Sequence, residues 1–148
     1  MKEIELELKN GEEVIEILED SHITAKFIGR NFDELKTKIS IIHKKSNLKS
    51  RINIKAVVFD NSKFDMEGLL KIEKGATGTD TYLKIDCLVM SNNAFARAIP
   101  SLEIKESEVK GGHGATIGYL DPVELYYLAS HGIDQTQAEK VLVDAFLQ

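Results

Sequence analysis

A mainly β core followed by two short α-helices is what three features of this 148-residue chain predict. Apolar residues recur with a period of two from residue 1 to about 118. Turn-forming clusters interrupt the later part of that alternation every 15 to 20 residues or so, roughly twice the spacing of hairpin-linked strands. Beyond Gly118 the apolar period lengthens to that of a helix.

Taken in chain order, Ile4, Leu6 and Leu8 alternate with acids, Ile52 and Ile54 flank Asn53, and Leu70 and Ile72 flank Lys71, the pattern of half-buried strands. Breaks are expected at Asn10-Gly11, Asp60-Asn61, Gly75 to Gly78, Ser91 to Asn93 and Gly111-Gly112, all rich in residues that favour turns. Such spacing suits a strand that crosses, turns a corner and crosses again, as in a β-helix or a sandwich. Periodicity does not separate those two. The segment Asn31 to Ser46 mixes charges as a helix would, but Ile39, Ile41 and their β-branched neighbours predict a strand.

The helical part has explicit start and stop signals. Asp121 is a good N-cap, and Pro122 stands at the first helical position, where its missing N–H costs nothing. Gly132 suits the left-handed C-cap, with His131 near the negative end of the helix dipole. Asp134 and Gln137 form a variant capping box for a second helix, whose expected apolar stripe is Ala138, Val141, Leu142, Ala145 and Phe146. On the residues alone, that stripe is expected to close the open end of the strand core. Residues 1–118 are thus read as the core and residues 119–148 as a helical segment on or beside it, in one compact unit.

Composition narrows the function classes. The net charge of −5, with acids crowded before Asp20, disfavours nucleic acid as a partner. The one basic cluster, Lys45 to Arg51, reads as a solvated turn. No apolar run is long enough to span a membrane and the N-terminus is acidic, so a cytoplasmic location is expected. The single cysteine, Cys87, excludes an internal disulfide and a four-cysteine metal site. Gly75 to Asp80 (GATGTD) lacks the Lys-Ser/Thr ending of a phosphate-binding loop and reads as a turn. Glu103, Glu106 and Glu108 read as an exposed acidic edge, and no nucleophile, base and orienting group can be assembled, so no enzyme is expected.

The run from Leu102 to Leu147, LEIKESEVKGGHGATIGYLDPVELYYLASHGIDQTQAEKVLVDAFL, resembles the C-terminal end of the SufB/SufD family, scaffold subunits of the SUF machinery for iron–sulfur cluster assembly. The likeness is carried by LEI, VK, HGAT, Gly118, LD, YYL, HGI, a helical alanine and the closing AF, and extends more weakly back through Leu69 to Pro100. The resemblance implies a right-handed parallel β-helix core. It also implies a non-enzymatic scaffold whose terminal helices dock a SufC-like ABC ATPase through Leu125, Tyr126, Leu128, Val141, Leu142 and Phe146, and a homodimer formed through the β core around Cys87 and His113.

His113 occupies the place of the HGAT histidine proposed as a cluster-site residue in the family. Alone it supplies no ligand spacing. The family's implicated cysteine falls at Ile85, so Cys87 lies two residues later, on the same strand face about 7 Å along. A free cysteine there is also what a buried small hydrophobe looks like. Gly111 stands where SufD proteins often carry a cysteine, and Gly114 where SufB proteins can carry a glutamate. The resemblance therefore implies an iron–sulfur cluster held transiently and shared between chains, or none. Family members are normally much longer, which leaves a minimal scaffold and a regulatory interaction module both open. A metalloenzyme centred on His113 would need His22, His43 or His131 to converge on it.

Overall fold

The computed structural model describes residues 1–148. Nine strands precede the helices: β1 (Lys2–Leu6), β2 (Gly11–Ile17), β3 (Ser21–Gly29), β4 (Glu34–His43), β5 (Lys49–Val58), β6 (Lys63–Ile72), β7 (Asp80–Val89), β8 (Phe95–Ile104) and β9 (Lys110–Tyr119). α1 (Pro122–Ser130) and α2 (Gln135–Leu147) follow. The odd strands form one parallel sheet, in the order β1-β3-β5-β7-β9, and the even strands a second, β2-β4-β6-β8. The chain changes sheet at every corner, so it winds as a β-solenoid of about four turns. Parallel crossover connections are right-handed, and the β-helix reading of the alternation is the correct one of the two.

The period-two pattern builds this architecture directly. Side chains alternate between the two faces of a strand, and in-register parallel pairing stacks like positions into columns through the lumen. Ile23, Ile52 and Leu83 form one such column and Ala25, Ile54 and Ile85 the next, all nearly or fully buried. From the opposite sheet, Leu35 and Phe64, then Ile41 and Leu70, fill the same interior. Lysines, acids and arginine take the outward positions, where Arg97 lies 2.8 Å from Asp65 and Lys71 lies 2.9 Å from Glu73.

Corners use residues that tolerate a left-handed backbone. Asn31, Asn47 and Asp60 have φ of 54°, 59° and 52°, a region that Asn and Asp enter more readily than other side-chain-bearing residues. The corner over Gly75 to Gly78 is the turn expected there, and Glu34–His43 is the strand expected within Asn31 to Ser46. Within the basic cluster, Lys45 to Leu48 turn, but Lys49, Ser50 and Arg51 already belong to β5.

One expected break is wrong. Gly111 and Gly112 lie inside β9, and the preceding corner sits at residues 105–109. Tyr82 explains Gly112 and Gly114: a Cβ at Gly112 would stand 2.9 Å from Tyr82 Cδ2, and one at Gly114 would stand 2.9 Å from Tyr82 Oη, while one at Gly111 would stand 3.2 Å from Ile104 Cδ1. The tyrosine lies across the outer face of β9, over space that two side chains would have filled.

The helix signals hold. The Asp121 carboxylate accepts from Val123 N–H at 2.8 Å, Pro122 opens α1, and Gly132 takes φ 80° just beyond it. The Asp134 carboxylate accepts from Gln137 N–H at 2.9 Å. The stripe on α2 is rotated from the expected one: Ala138, Val143 and Leu147 are buried and Leu142 and Phe146 half-buried, whereas Val141 and Ala145 face outward. Nor does α2 close the open end of the core. Val143 and Leu147 pack on Val57 and Leu88, two apolar residues on the outer face of the five-stranded sheet. No helix is long and apolar enough to cross a membrane.

Candidate functional site

The last coil, β8 and β9, carries the candidate site because it holds His113 at one of the two ends where the lumen opens. Register places His113 beside Leu83, Ala115 beside Ile85 and Ile117 beside Cys87. His113, Ala115 and Ile117 therefore continue the inward columns past the last covered strand, and all three are exposed. Across the opening, Leu102 and Ile104 continue the columns of Leu70 and Ile72. The result is an apolar end face edged by two strands that are each unpaired on one side, with His113 as its imidazole. His113 sits mid-strand rather than in a corner.

Cys87 lies one strand inside that face. It is 2% exposed and belongs to the main core cluster. Its column reads Phe27, Ala56, Cys87, Ile117, so Cys87 sits between the small Ala56 and the larger Ile117. Burial pushes its thiol up from 9.0 to about 12, with a further push from the nearby Asp86 carboxylate. A thiol held so is protonated at neutral pH, whereas metal ligation and nucleophilic attack use the thiolate. Ile85, where the family's cysteine falls, is fully buried in the same lumen.

The fold does not bring His113 and Cys87 together. They lie on adjacent strands and the same face, but four positions apart in register, which is about 13 Å along the strand. β7 is flanked by β5 and β9, so the strand of Cys87 has no free edge, and backbone pairing with another chain at this end falls to β8 and β9.

The four histidines do not converge either. His22 faces outward, its Nδ1 2.9 Å from Glu3 Oε2, His43 is fully buried, and His131 follows α1 with its Nδ1 2.9 Å from the Tyr127 carbonyl. No group of three or more His, Cys, Asp or Glu is placed to hold a metal ion. The convergence that a His113-centred metalloenzyme requires is absent.

The tail presents a second surface. No residue of α1 is buried. Leu125 and Leu128 are half-buried, whereas Val123 is 71% exposed and Tyr126 78% exposed. Val141 on α2 is exposed as well, and of the six proposed docking residues Phe146 is the one that packs against the chain's own apolar cluster. Sequence reasoning missed Val123, which shares the exposed side of α1 with Tyr126 three residues on, a helical spacing that gave the signal. It also missed the buried polar chain of His43, Ser50 and Thr81, which lies away from this site.

Comparison with known proteins accords with this fold. The family model described as "SUF system FeS cluster assembly, SufBD core domain" matches residues 18–146. The iron–sulfur cluster assembly protein SufD of Bacillus subtilis is 37% identical over 91 residues, which cover 62% of this chain and 21% of that protein. SufD of Escherichia coli is 34% identical over 110 residues, covering 74% and 26%. A SufBD family protein of Mycobacterium leprae is 41% identical over 80 residues, covering 53% and 20%. The chain thus matches about a fifth to a quarter of the length of these relatives. A two-sheet parallel solenoid, an HGAT histidine on its last strand and two capped helices after it, together with a family match across most of the residues, have one reading: the chain belongs to the SufB/SufD family of the SUF system for iron–sulfur cluster assembly.

Proposed function

We propose that the chain is a non-enzymatic scaffold of iron–sulfur cluster assembly that acts by joining other proteins, docking a SufC-like ABC ATPase through its C-terminal helices. The observation that carries this reading is the division of labour in the tail. α2 anchors itself through Val143 and Leu147, while α1 buries nothing and holds Val123 and Tyr126 outward. An outward tyrosine such as Tyr126 is the kind of anchor that dominates protein–protein binding, and Val123 extends the apolar surface around it. ATP hydrolysis in the partner would then shift the scaffold through the different affinities of the two ATPase states for the tail.

The apolar end face supports a second contact, a homodimer through β8 and β9 that places His113 of one chain near that of the other. Isologous pairing is the commonest closed arrangement, and it would cover both unpaired edges. A cluster held there would be cargo shared between chains. The enclosure and high pKa of Cys87 favour a variant of this reading, a module that joins the machinery without a cluster of its own.

The test is co-purification with a SufC-like ATPase. Wild type is expected to retain the ATPase, and Tyr126→Asp to lose it with the circular dichroism of the solenoid unchanged. Full retention by the variant would remove the docking role of α1.

A further inference from the structure

His43 closes β4 of the four-stranded sheet, and Ser50 is the second residue of the next strand, β5, in the other sheet. Both are 0% exposed. His43 Nε2 stands 2.9 Å from Ser50 Oγ, and Ser50 Oγ stands 2.6 Å from Thr81 Oγ1 on β7. One chain of hydrogen bonds therefore ties a strand of one sheet to two strands of the other, across the corner at residues 44–48.

The remaining ring nitrogen, Nδ1, has no hydrogen-bond partner. In register, His43 lies between Ile17 and Ile72, both buried and apolar. Charged groups on every packed element are turned to the other face or to the corners. Glu16 of β2 pairs with Lys44, Lys71 of β6 with Glu73, and Arg51 of β5 with Asp80 of β7, while Asp20, before β3, accepts the Lys49 N–H. Nothing inside the lumen can neutralise an imidazolium.

We infer that His43 is an acid-sensitive tie between the two sheets, and that its protonation loosens the solenoid at the corner between β4 and β5. A neutral ring can accept the Ser50 hydroxyl proton at Nε2, but in an imidazolium both nitrogens are donors. With Nε2 accepting, the neutral ring carries its proton on Nδ1; protonation would turn Nε2 into a second donor, force the Ser50 hydroxyl to reverse and accept, and place an uncompensated charge among isoleucines. In agreement, burial lowers the pKa of His43 from 6.5, against a smaller opposing pull from the Lys71 carbonyl. The unfolded chain takes up this proton near pH 6.5. The folded chain resists it, so stability is full above that pH and falls as pH drops toward the lower folded value. The slope approaches a tenfold change in the unfolding equilibrium per pH unit, the effect of one proton.

The experiment compares urea unfolding of wild type and His43→Leu between pH 7.5 and 5, together with an NMR titration of the His43 ring in wild type. Expected is a loss in wild type of up to about tenfold per pH unit below 6.5 that is missing in the variant, with the ring still neutral where a free imidazole is half protonated. Equal slopes in the two proteins would overturn the inference, as would a ring that titrates at the ordinary value. If His43→Leu fails to fold, the ring titration in wild type decides alone.

Discussion

Cys87 gains its meaning from its column. Beneath Ile117 and above Ala56 it fills a small gap in the core, and its thiol is pushed up to about 12. Alkylation of the native chain by iodoacetamide at pH 8 is expected to be slower than in urea by at least about a hundredfold, because thiolate fraction and access both control the rate. Mass spectrometry of timed samples checks this, and equal rates would show the thiol to be accessible. Because the folded pKa lies above the unfolded one, the stability that Cys87 contributes is intact below about pH 9 and lost as pH rises from there toward 12. Cys87→Ala should remove that alkaline loss, measured by urea unfolding at pH 8 and pH 10. The sequence made Cys87 and His113 visible as candidates, since both are rare residues beside a recognisable motif. It did not show that four register positions separate them, because register depends on where the corners fall.

At the scale of elements, α2 shows why a stripe read from sequence can rotate. The end of the helix, VLVDAFL, has apolar residues on more than one side, so the 3.6-residue period admits two overlapping stripes. The choice is made by Val57 and Leu88, against which Val143 and Leu147 bury, with Phe146 packed alongside. Leu147→Ala is expected to destabilise the chain by about 2 to 3 kcal/mol, the low end for a buried Leu truncation. Val141→Ala, at an exposed position, should stay within about 0.5 kcal/mol. Thermal unfolding of the two variants separates them, and a reversed order would place the expected stripe on the core after all. The helix caps were legible for the opposite reason: Asp121, Pro122, Gly132 and Asp134 act through local backbone geometry and need no tertiary partner. Gly111 and Gly112 were misread because glycine marks both turns and close approaches, and only the fold shows Tyr82 lying over the strand.

For the molecule as a whole, the strand content was readable but the coil was not. Register partners such as Ser21 and Ser50, Lys49 and Asp80, and Asp80 and Lys110 are about 30 residues apart, yet the corners between them differ in length and composition. Alternation survives such variation, whereas a sequence repeat does not. The C-terminal part of the solenoid offers two unsatisfied surfaces, the end face of β8 and β9 and the outer side of α1. If the first is covered by a second copy, Ile117→Lys should convert a dimer to a monomer in sedimentation, since a buried charge without a partner is expensive. An unchanged dimer would place the contact elsewhere. Joining proteins through both surfaces at once is the central claim. Light scattering of an equimolar mixture with a SufC-like ATPase tests it most directly. A complex holding two copies of each protein is the predicted mass, and a mixture whose components elute separately at their individual masses would contradict the account.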